Sequence, residues 1–462
     1  MKDLSLKNIA AAIGGQLKNA QNADCNKEAQ GVDIDSRKIE KDYIFIATKG
    51  EKVDGHSFVN DVAKKGALGA IVETDGDYEL PYIVVDNSFD ALKKLAAFYR
   101  SRLNIPIIGV TGSVGKTSTK EFIAGTLSAK YKVLKTFGNH NNEVGMPLTL
   151  LSIKEEHEIA VVEMGISDFG EMERLASISK PDACVITNIG QCHLEKLIDR
   201  DGVLSAKTKM LDYMNPDGLT LLNGDDDKLI TVKKNNNREP KFFGIGENND
   251  YYATDIEEKG LLGSEAVFVI KKNDTELRYE VKVPLPGRHM VSNALAAWAV
   301  AEEFGLTPDE IIKGISEVKA TAGRSNIIDT GKYIVIDDCY NANPVSMKAA
   351  VDLLMSANSR KVAILGDMFE LGENTGQLHY SVGEYCGQSD VDVLVAIGEL
   401  AKNIYDGATE KDINSSILKY YFENKEQALE ELSDILKEKD SVLIKASNGM
   451  KFNVIVNKLS NQ

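Results

Sequence analysis

Apolar positions fall along this chain in two alternating textures. Short continuous runs bounded by glycine, proline or charge read as buried strands: YIFIA at 43–47, GAIVE at 69–73, IIGV at 107–110, IAVVEM at 159–164, ACVITN at 183–188 and LTLLN at 219–223. The same texture returns in YIVIDD at 333–338, KVAILGD at 361–367, VDVLVAIG at 391–398 and SVLIKAS at 441–447. Between these runs the apolar residues recur at helical spacing. In SFDALKKLAAFYRSRL, 88–103, Leu92, Leu95, Ala96 and Tyr99 share one face, and Pro106 follows as a stop. A second such stretch, SNALAAWAVAEEFG at 292–305, ends on Gly305.

Continuous apolar strands separated by amphipathic helices predict parallel sheets covered on both faces, so the fold class is α/β. Three pieces are expected: a small mixed α/β domain over 1–103, a central domain with a parallel sheet over 104–322, and a second parallel sheet over 323–462. Within the central piece, residues 231–286 turn polar and rich in turns around EAVFVI and LRYEVKV, which reads as an antiparallel β insertion.

A length of 462 residues is more than one core can serve, which supports several domains. The 43% hydrophobic and 27% charged composition is that of an ordinary globular protein. A net charge of −16 argues against a nucleic-acid partner, because backbone binding needs clustered Lys and Arg. It leaves nucleotides open, since a mononucleotide needs only local donors and a metal. No apolar run approaches the roughly 20 residues of a membrane span, and the start MKDLSLKNIAAAIGG lacks a basic, apolar leader, so a cytoplasmic protein is expected. The cysteines at 25, 184, 192, 339 and 386 make no C-x-x-C pair and suit reduced thiols. Cys192 stands beside His193, but a buried small residue is the simpler reading than a catalytic thiol.

The segment PIIGVTGSVGKTSTKEF, 106–122, carries the chemistry. An apolar strand runs into a glycine-rich turn ending in Gly-Lys-Thr, the form of a phosphate cradle. Gly112, Ser113 and Gly115 turn backbone N–H groups toward phosphate. Lys116 would reach the β- and γ-phosphates, Thr117 would offer a hydroxyl to Mg²⁺, and Ser118 continues the helix start. Val110 stands where the usual motif has its first glycine, so a structural turn of Gly and Thr remains the alternative. Glu163 ends the strand IAVVEM and His193 follows ACVITNIG. Both are positions at the carboxyl ends of strands where a metal can be held, against the plainer reading of a solvated charge and a satisfied imidazole.

Eight ordered segments then resemble the Mur ligase family: DSRKIEKDYIFIATKGEKVDGHSF (35–58), GVTGSVGKTSTKE (109–121), KTFGNHNNEVGMPLTLL (135–151), VVEMG (161–165), ITNIGQCHLE (186–195), LPGRHMVSNALAA (285–297), DDCYNANPVSM (337–347) and LGDMFELGE (365–373). The last two point to the branch that adds D-alanyl-D-alanine to UDP-N-acetylmuramoyl-tripeptide. The resemblance implies a domain for the UDP substrate, a central P-loop ATPase and a Rossmann-like C-terminal domain. It implies ATP and Mg²⁺ as cofactors and an acyl-phosphate route to the amide, in peptidoglycan synthesis by a monomer.

By the same resemblance Lys116, Lys207 and His193 are catalytic, and Thr117, Glu163, His193 and Lys207 hold metal, the last as a carbamate. His289 and Asn293 would face adenine, Arg324 the γ-phosphate, and Asp338 the nucleotide. Asn139, Asn141 and Asn142 match a substrate loop, and Ser36, Arg37, Thr48, Lys49 and Gly50 match the uridine-diphosphate pocket. The chain departs from the family pattern at Lys209, commonly Glu, at Met290, often Asn, and in SNGMK at 447–451.

Folylpolyglutamate synthases and ligases of single amino acids share the central motifs, but not DDCYNANP with LGDMFELGE. A nucleotide switch is the other alternative. A GTPase would carry N-K-x-D, and this chain has only NKEQ at 424–427 and NKLS at 457–460. His379 in GQLHYSVG is read either as a dipeptide contact or as a structural histidine.

Overall fold

The structure is a computed structural model that describes residues 1–462 apart from 22–23, 51–52, 234–236, 274, 414 and 462. Its described strands form sheets of five, nine and six members, in chain order along the sequence.

The first sheet runs Gln16–Lys18, Tyr82–Val84, Gly69–Val72, Tyr43–Ile46, Gly31–Asp33, parallel except for the edge strand Gln16–Lys18. The predicted helix forms over Ser88–Arg102, with Asn87 accepting the Asp90 N–H as its cap. Its apolar face does not simply close the first sheet. Leu92 and Leu95 belong to one hydrophobic cluster that continues through Met146 and Val162 to Met210 in the central piece. The Tyr99 hydroxyl donates to the Ile153 carbonyl at 2.6 Å, and Arg100 Nε donates to the Ser179 carbonyl at 2.7 Å. This helix therefore fastens the first sheet to the second.

The central sheet runs Val133–Lys135, Ile159–Glu163, Ile107–Thr111, Ala183–Ile186, Leu219–Asn223, Lys241–Phe243, Tyr251–Glu258, Ser264–Lys272, Thr275–Val283. All its pairings are parallel until the last two, which are antiparallel. The polar stretch expected as an antiparallel insertion is thus part of the same sheet. Tyr251–Glu258 enters by a parallel pairing of Tyr251 with Phe243, and a hairpin then extends the edge. The helix Arg288–Glu303 covers this half, its Trp298 ring lying 4.9 Å from Tyr279 and 5.9 Å from Phe268.

The third sheet runs Asn326–Asp329, Ile334–Asp337, Ser441–Lys445, Lys361–Gly366, Val393–Ile397, Leu418–Phe422, parallel apart from its first, antiparallel edge. Apolar clusters cover both faces, one around Leu354 and Leu394 and one around Val442 and Phe452. In the central sheet Ile107–Thr111 lies between Ile159–Glu163 and Ala183–Ile186, so three carboxyl ends open at one point. That is where an open α/β sheet places its ligand.

Candidate active site

The phosphate loop is built by exclusion as much as by attraction. Gly112 has φ +149°, and a Cβ there would stand 1.9 Å from the Thr187 hydroxyl. Asn188, one residue on, accepts the Ser113 N–H on its carbonyl at 3.0 Å and the Val114 N–H on its side chain at 2.9 Å. The loop is therefore clamped by the end of the neighbouring strand before the helix Lys116–Leu127 begins. Lys116 folds back, its ammonium donating to the Gly112 carbonyl at 2.8 Å. Desolvation lowers its pKa, Glu163 and Cys192 oppose that, and Arg324 adds to it.

Glu163, 2% exposed, is gripped from several sides. The Thr117 hydroxyl donates to Oε2 at 3.0 Å, and the Asn141 amide donates to Oε1 at 2.7 Å. Lys120 is 3.8 Å from Oε2 and only 1% exposed, with its ammonium donating to the Thr136 carbonyl at 2.8 Å and lying 3.1 Å from Glu121. Sequence reasoning gave Lys120 no role. Its one signal was its position four residues beyond Lys116, on the same helix face.

Lys207 lies inside the helix Arg200–Thr208, 1% exposed, and among the described residues no acceptor or carboxylate pairs with its ammonium. Burial pushes its pKa down to about 7, Lys116 adds to the shift and Cys192 opposes it. Lys209 does not share that space. It is exposed and paired with Asp212 at 3.0 Å, so the departure from the family pattern puts no charge against Lys207.

His193 has φ +53°, and its Nδ1 is 3.0 Å from Glu370 of the third sheet's unit. Cys192, expected in the core, instead lies half-buried with Sγ 3.2 Å from the Ser113 hydroxyl. No Glu, Asp, His or Cys cluster of three or more that could hold a metal occurs among the described residues. Thr117 and Glu163 thus suit a hard dication that keeps phosphate and water in most of its shell.

A cavity of about 390 Å³ opens beside the loop, its lining including Gly115, Thr117, Ser118, His289, Asn293, Arg324 and Asp338, together with Asn188, Asn223 and Asp225. Asn293 accepts the Thr119 hydroxyl at 3.0 Å and donates to Met290 Sδ at 3.5 Å. Met290 is itself buried and lines the cavity beside that side chain. Arg324 stacks 4.1 Å over the Tyr340 ring, and its Nε is buried without a hydrogen-bond partner. Asp338 is taken up by Lys445 Nζ at 2.5 Å and by the Ser325 N–H at 2.9 Å, while Asp337 accepts the Gly323 N–H at 2.7 Å. The pair of aspartates therefore holds the join between the second and third units, and Asp338 meets the cavity from there.

The other expected substrate residues divide. Asn141 is engaged by Glu163, Asn142 is exposed but accepts the Val144 and Gly145 N–H groups just ahead of the helix Gly145–Leu151, and Asn139 is exposed. Ser36 and Arg37 follow the strand Gly31–Asp33, and Thr48, Lys49 and Gly50 follow its parallel neighbour Tyr43–Ile46, so one sheet end gathers all five, away from the phosphate loop. Arg37 chelates Asp35 at 2.9 and 2.7 Å, which holds that carboxyl at about 2. His56, unassigned from sequence, ties this end together by accepting the Glu73 N–H at 2.8 Å while its Nδ1 meets Asp54 at 2.6 Å. His379 is structural: fully buried, it accepts the Met368 N–H at 2.8 Å and meets the Thr375 carbonyl at 2.7 Å.

Comparison with known proteins agrees along the whole length. The sequence matches the Mur ligase family, catalytic domain, over residues 28–114, the Mur ligase middle domain over 110–301, and the Mur ligase, glutamate ligase domain over 323–448. The chain belongs to the Mur ligase family. A Bacillus subtilis relative named UDP-N-acetylmuramoyl-tripeptide–D-alanyl-D-alanine ligase is 37% identical over 463 residues, covering 98% of each chain. MurF from Acinetobacter baumannii superimposes with a TM-score of 0.88 at 31% identity over 99% of both chains. MurF ligase from Thermotoga maritima, solved in complex with ADP, gives 0.80 at 27% identity over 94% of this chain and 97% of that one. No described helix of this Mur ligase is long and apolar enough to cross a membrane.

Proposed function

We propose that this Mur ligase joins D-alanyl-D-alanine to UDP-N-acetylmuramoyl-tripeptide in an ATP-dependent reaction, forming the pentapeptide precursor of peptidoglycan. The observation that carries the reading is the convergence of Lys116, Thr117, Glu163, His193 and Lys207 at the carboxyl ends of the central strands, beneath Arg324 and Glu370 of the third unit.

A carboxylate is a poor electrophile, and transfer of a phosphoryl group onto it gives an acyl phosphate that an amine can attack. Lys116 is placed to neutralise charge on the moving phosphoryl group, and Arg324, with its unpartnered Nε, is placed to add to it from the other wall. Thr117 and Glu163 are the oxygens that would hold Mg²⁺, which when bound supplies positive charge along the phosphate oxygens. His193 and Lys207 would serve a second ion. The Lys207 amine, held near neutrality, can add to CO₂ and release a proton, becoming an anionic oxygen donor. Seating the third unit over the loop excludes water that would otherwise hydrolyse the acyl phosphate.

His289, Asn293 and Asp338 are assigned to the nucleoside. Ser36, Arg37, Thr48, Lys49 and Gly50 are assigned to the uridine diphosphate, and Asn139 to the substrate loop. On this reading residues 1–103, 104–322 and 323–462 act as three domains of a cytoplasmic monomer. The test is incubation with ATP, Mg²⁺ and both substrates, omitting each in turn, with mass spectrometry of the product. A gain of one dipeptide less water, seen only when nothing is omitted, supports the ligase. ATP hydrolysis that ignores both substrates would make the chain a nucleotide switch.

A further inference from the structure

The segment LGDMFELGE, 365–373, carries a residue to which neither the fold nor the phosphate chemistry gives a task. The loop after the strand Lys361–Gly366 is tightly anchored. The Met368 N–H donates to His379 at 2.8 Å, the Phe369 N–H donates to the Ser447 hydroxyl at 2.9 Å, and Met368 and Leu371 are buried. Glu370 is left at the tip with φ +62°, a conformation that an L side chain adopts only when its surroundings impose it. Its side chain stays 68% exposed, yet one carboxylate oxygen crosses to His193 Nδ1 at 3.0 Å, and the other has no partner among the described residues.

The buried carboxylates of this sheet end are already engaged. Asp337 and Asp338 hold the domain join, and Asp367 accepts the Ala401 N–H at 2.7 Å. Glu370, by its contact with His193, is a carboxylate that this end of the third unit carries to the reaction centre. Besides Glu370, the charged groups acting on His193 there are the cations Lys207 and Lys116 and, last in strength, the Glu171 carboxylate of the central unit. Phosphate and substrate carboxylate are served by those cations and by Arg324. The remaining reactant is an amine that arrives as an ammonium ion, and an ammonium leaving water needs an anion to receive it.

We propose that Glu370 forms the cation subsite for the α-ammonium of the incoming dipeptide, placing that nitrogen beside the activated carboxyl group. The inference rests on the ligase reading and names the residue that binds its second substrate.

The test compares the full-length enzyme with Glu370→Gln and Glu370→Asp. Ligation is followed against D-alanyl-D-alanine, ATP and Mg²⁺ in turn, and hydroxamate formation is followed with hydroxylamine, a nucleophile that is uncharged at neutral pH and attacks an acyl phosphate without an ammonium subsite. The Gln variant should raise KM for the dipeptide by about tenfold or more, as expected for loss of a charge-assisted contact. ATP and Mg²⁺ half-saturation should stay within about twofold, and Asp should recover part of the loss. Ligation at low dipeptide should fall about tenfold further than hydroxamate formation does. An unchanged dipeptide KM overturns the subsite. So does a parallel loss of hydroxamate and ligation, or a dominant shift in Mg²⁺ half-saturation, either of which would place Glu370 in phosphoryl transfer. A wild-type enzyme that forms neither product nor hydroxamate refutes the ligase reading itself, and the subsite with it.

Discussion

The Thr117 hydroxyl donates to Glu163 across 3.0 Å, joining the first turn of the phosphate-loop helix to the end of the adjacent strand. The two residues are far apart in sequence and belong to different elements, yet the parallel pairing of Val110 with Glu163 makes their meeting unavoidable. A hydroxyl and a carboxylate so placed form a compact pair of hard oxygen donors beside a triphosphate cradle.

Lys116→Ala should abolish turnover, by at least about a thousandfold, because the lost charge faces the moving phosphoryl group. The lysine is half-buried and bonds only its own loop, so the melting temperature should change little. Steady-state rates with a parallel thermal scan check this, and near-normal activity would remove the loop from the mechanism.

Lys207→Ala should be slow, and short carboxylic acids should restore part of the rate by replacing the carbamate oxygens. Full activity without rescue would rule the carbamate out.

The same lysine makes a stability prediction. Its folded pKa lies near 7, below its ordinary value of 10.5, so between those values the unfolded chain binds the extra proton. Stability must therefore rise with pH across that window, and the destabilisation is complete below about 7. In CO₂-depleted buffer Lys207→Met should melt above wild type at pH 7, with the gap closing toward pH 10. A gap that is constant with pH would show that burial does not set the protonation of this amine.

Lys120→Met should destabilise the protein by about 3 kcal/mol, because it leaves Glu121 and the buried Glu163 without their shared ammonium. Chemical denaturation measures the effect. Glu163→Gln should suppress part of it in a double-mutant cycle, and strict additivity would show that the two side chains do not interact.

Arg324→Ala should raise half-saturation for ATP by about tenfold while leaving that for the UDP substrate nearly unchanged, as befits a guanidinium aimed into the nucleotide cavity. Equal nucleotide kinetics in variant and wild type would contradict the assignment.

The sequence was most legible where one local pattern dictates one outcome. Continuous apolar runs such as Ile159–Glu163 and Val393–Ile397 announce buried parallel strands, and the Gly-Lys-Thr turn announces its helix start. Strands with little apolar signal escaped notice. Tyr251–Glu258 ends in exposed polar residues, and its parallel seat beside Phe243 depends on pairing that no local window encodes, so the local texture shows only the antiparallel part of the insertion. Within the site, no local pattern marks Lys120 as buried, and only the packing of Thr136 and Glu163 over it reveals its burial. Glu370 meets His193 across two units of the chain, a contact that belongs to tertiary structure alone.

The central claim is that the phosphoryl group passes to a substrate carboxylate rather than to water. The most direct measurement supplies UDP-N-acetylmuramoyl-tripeptide labelled with ¹⁸O in the reacting carboxyl group, with ATP, Mg²⁺ and D-alanyl-D-alanine, and weighs the phosphate released. Amide formation through an acyl phosphate leaves one labelled oxygen on each phosphate, matched mole for mole by pentapeptide. Unlabelled phosphate released at the full rate would mean that water is the acceptor and that the chain hydrolyses ATP without activating its substrate.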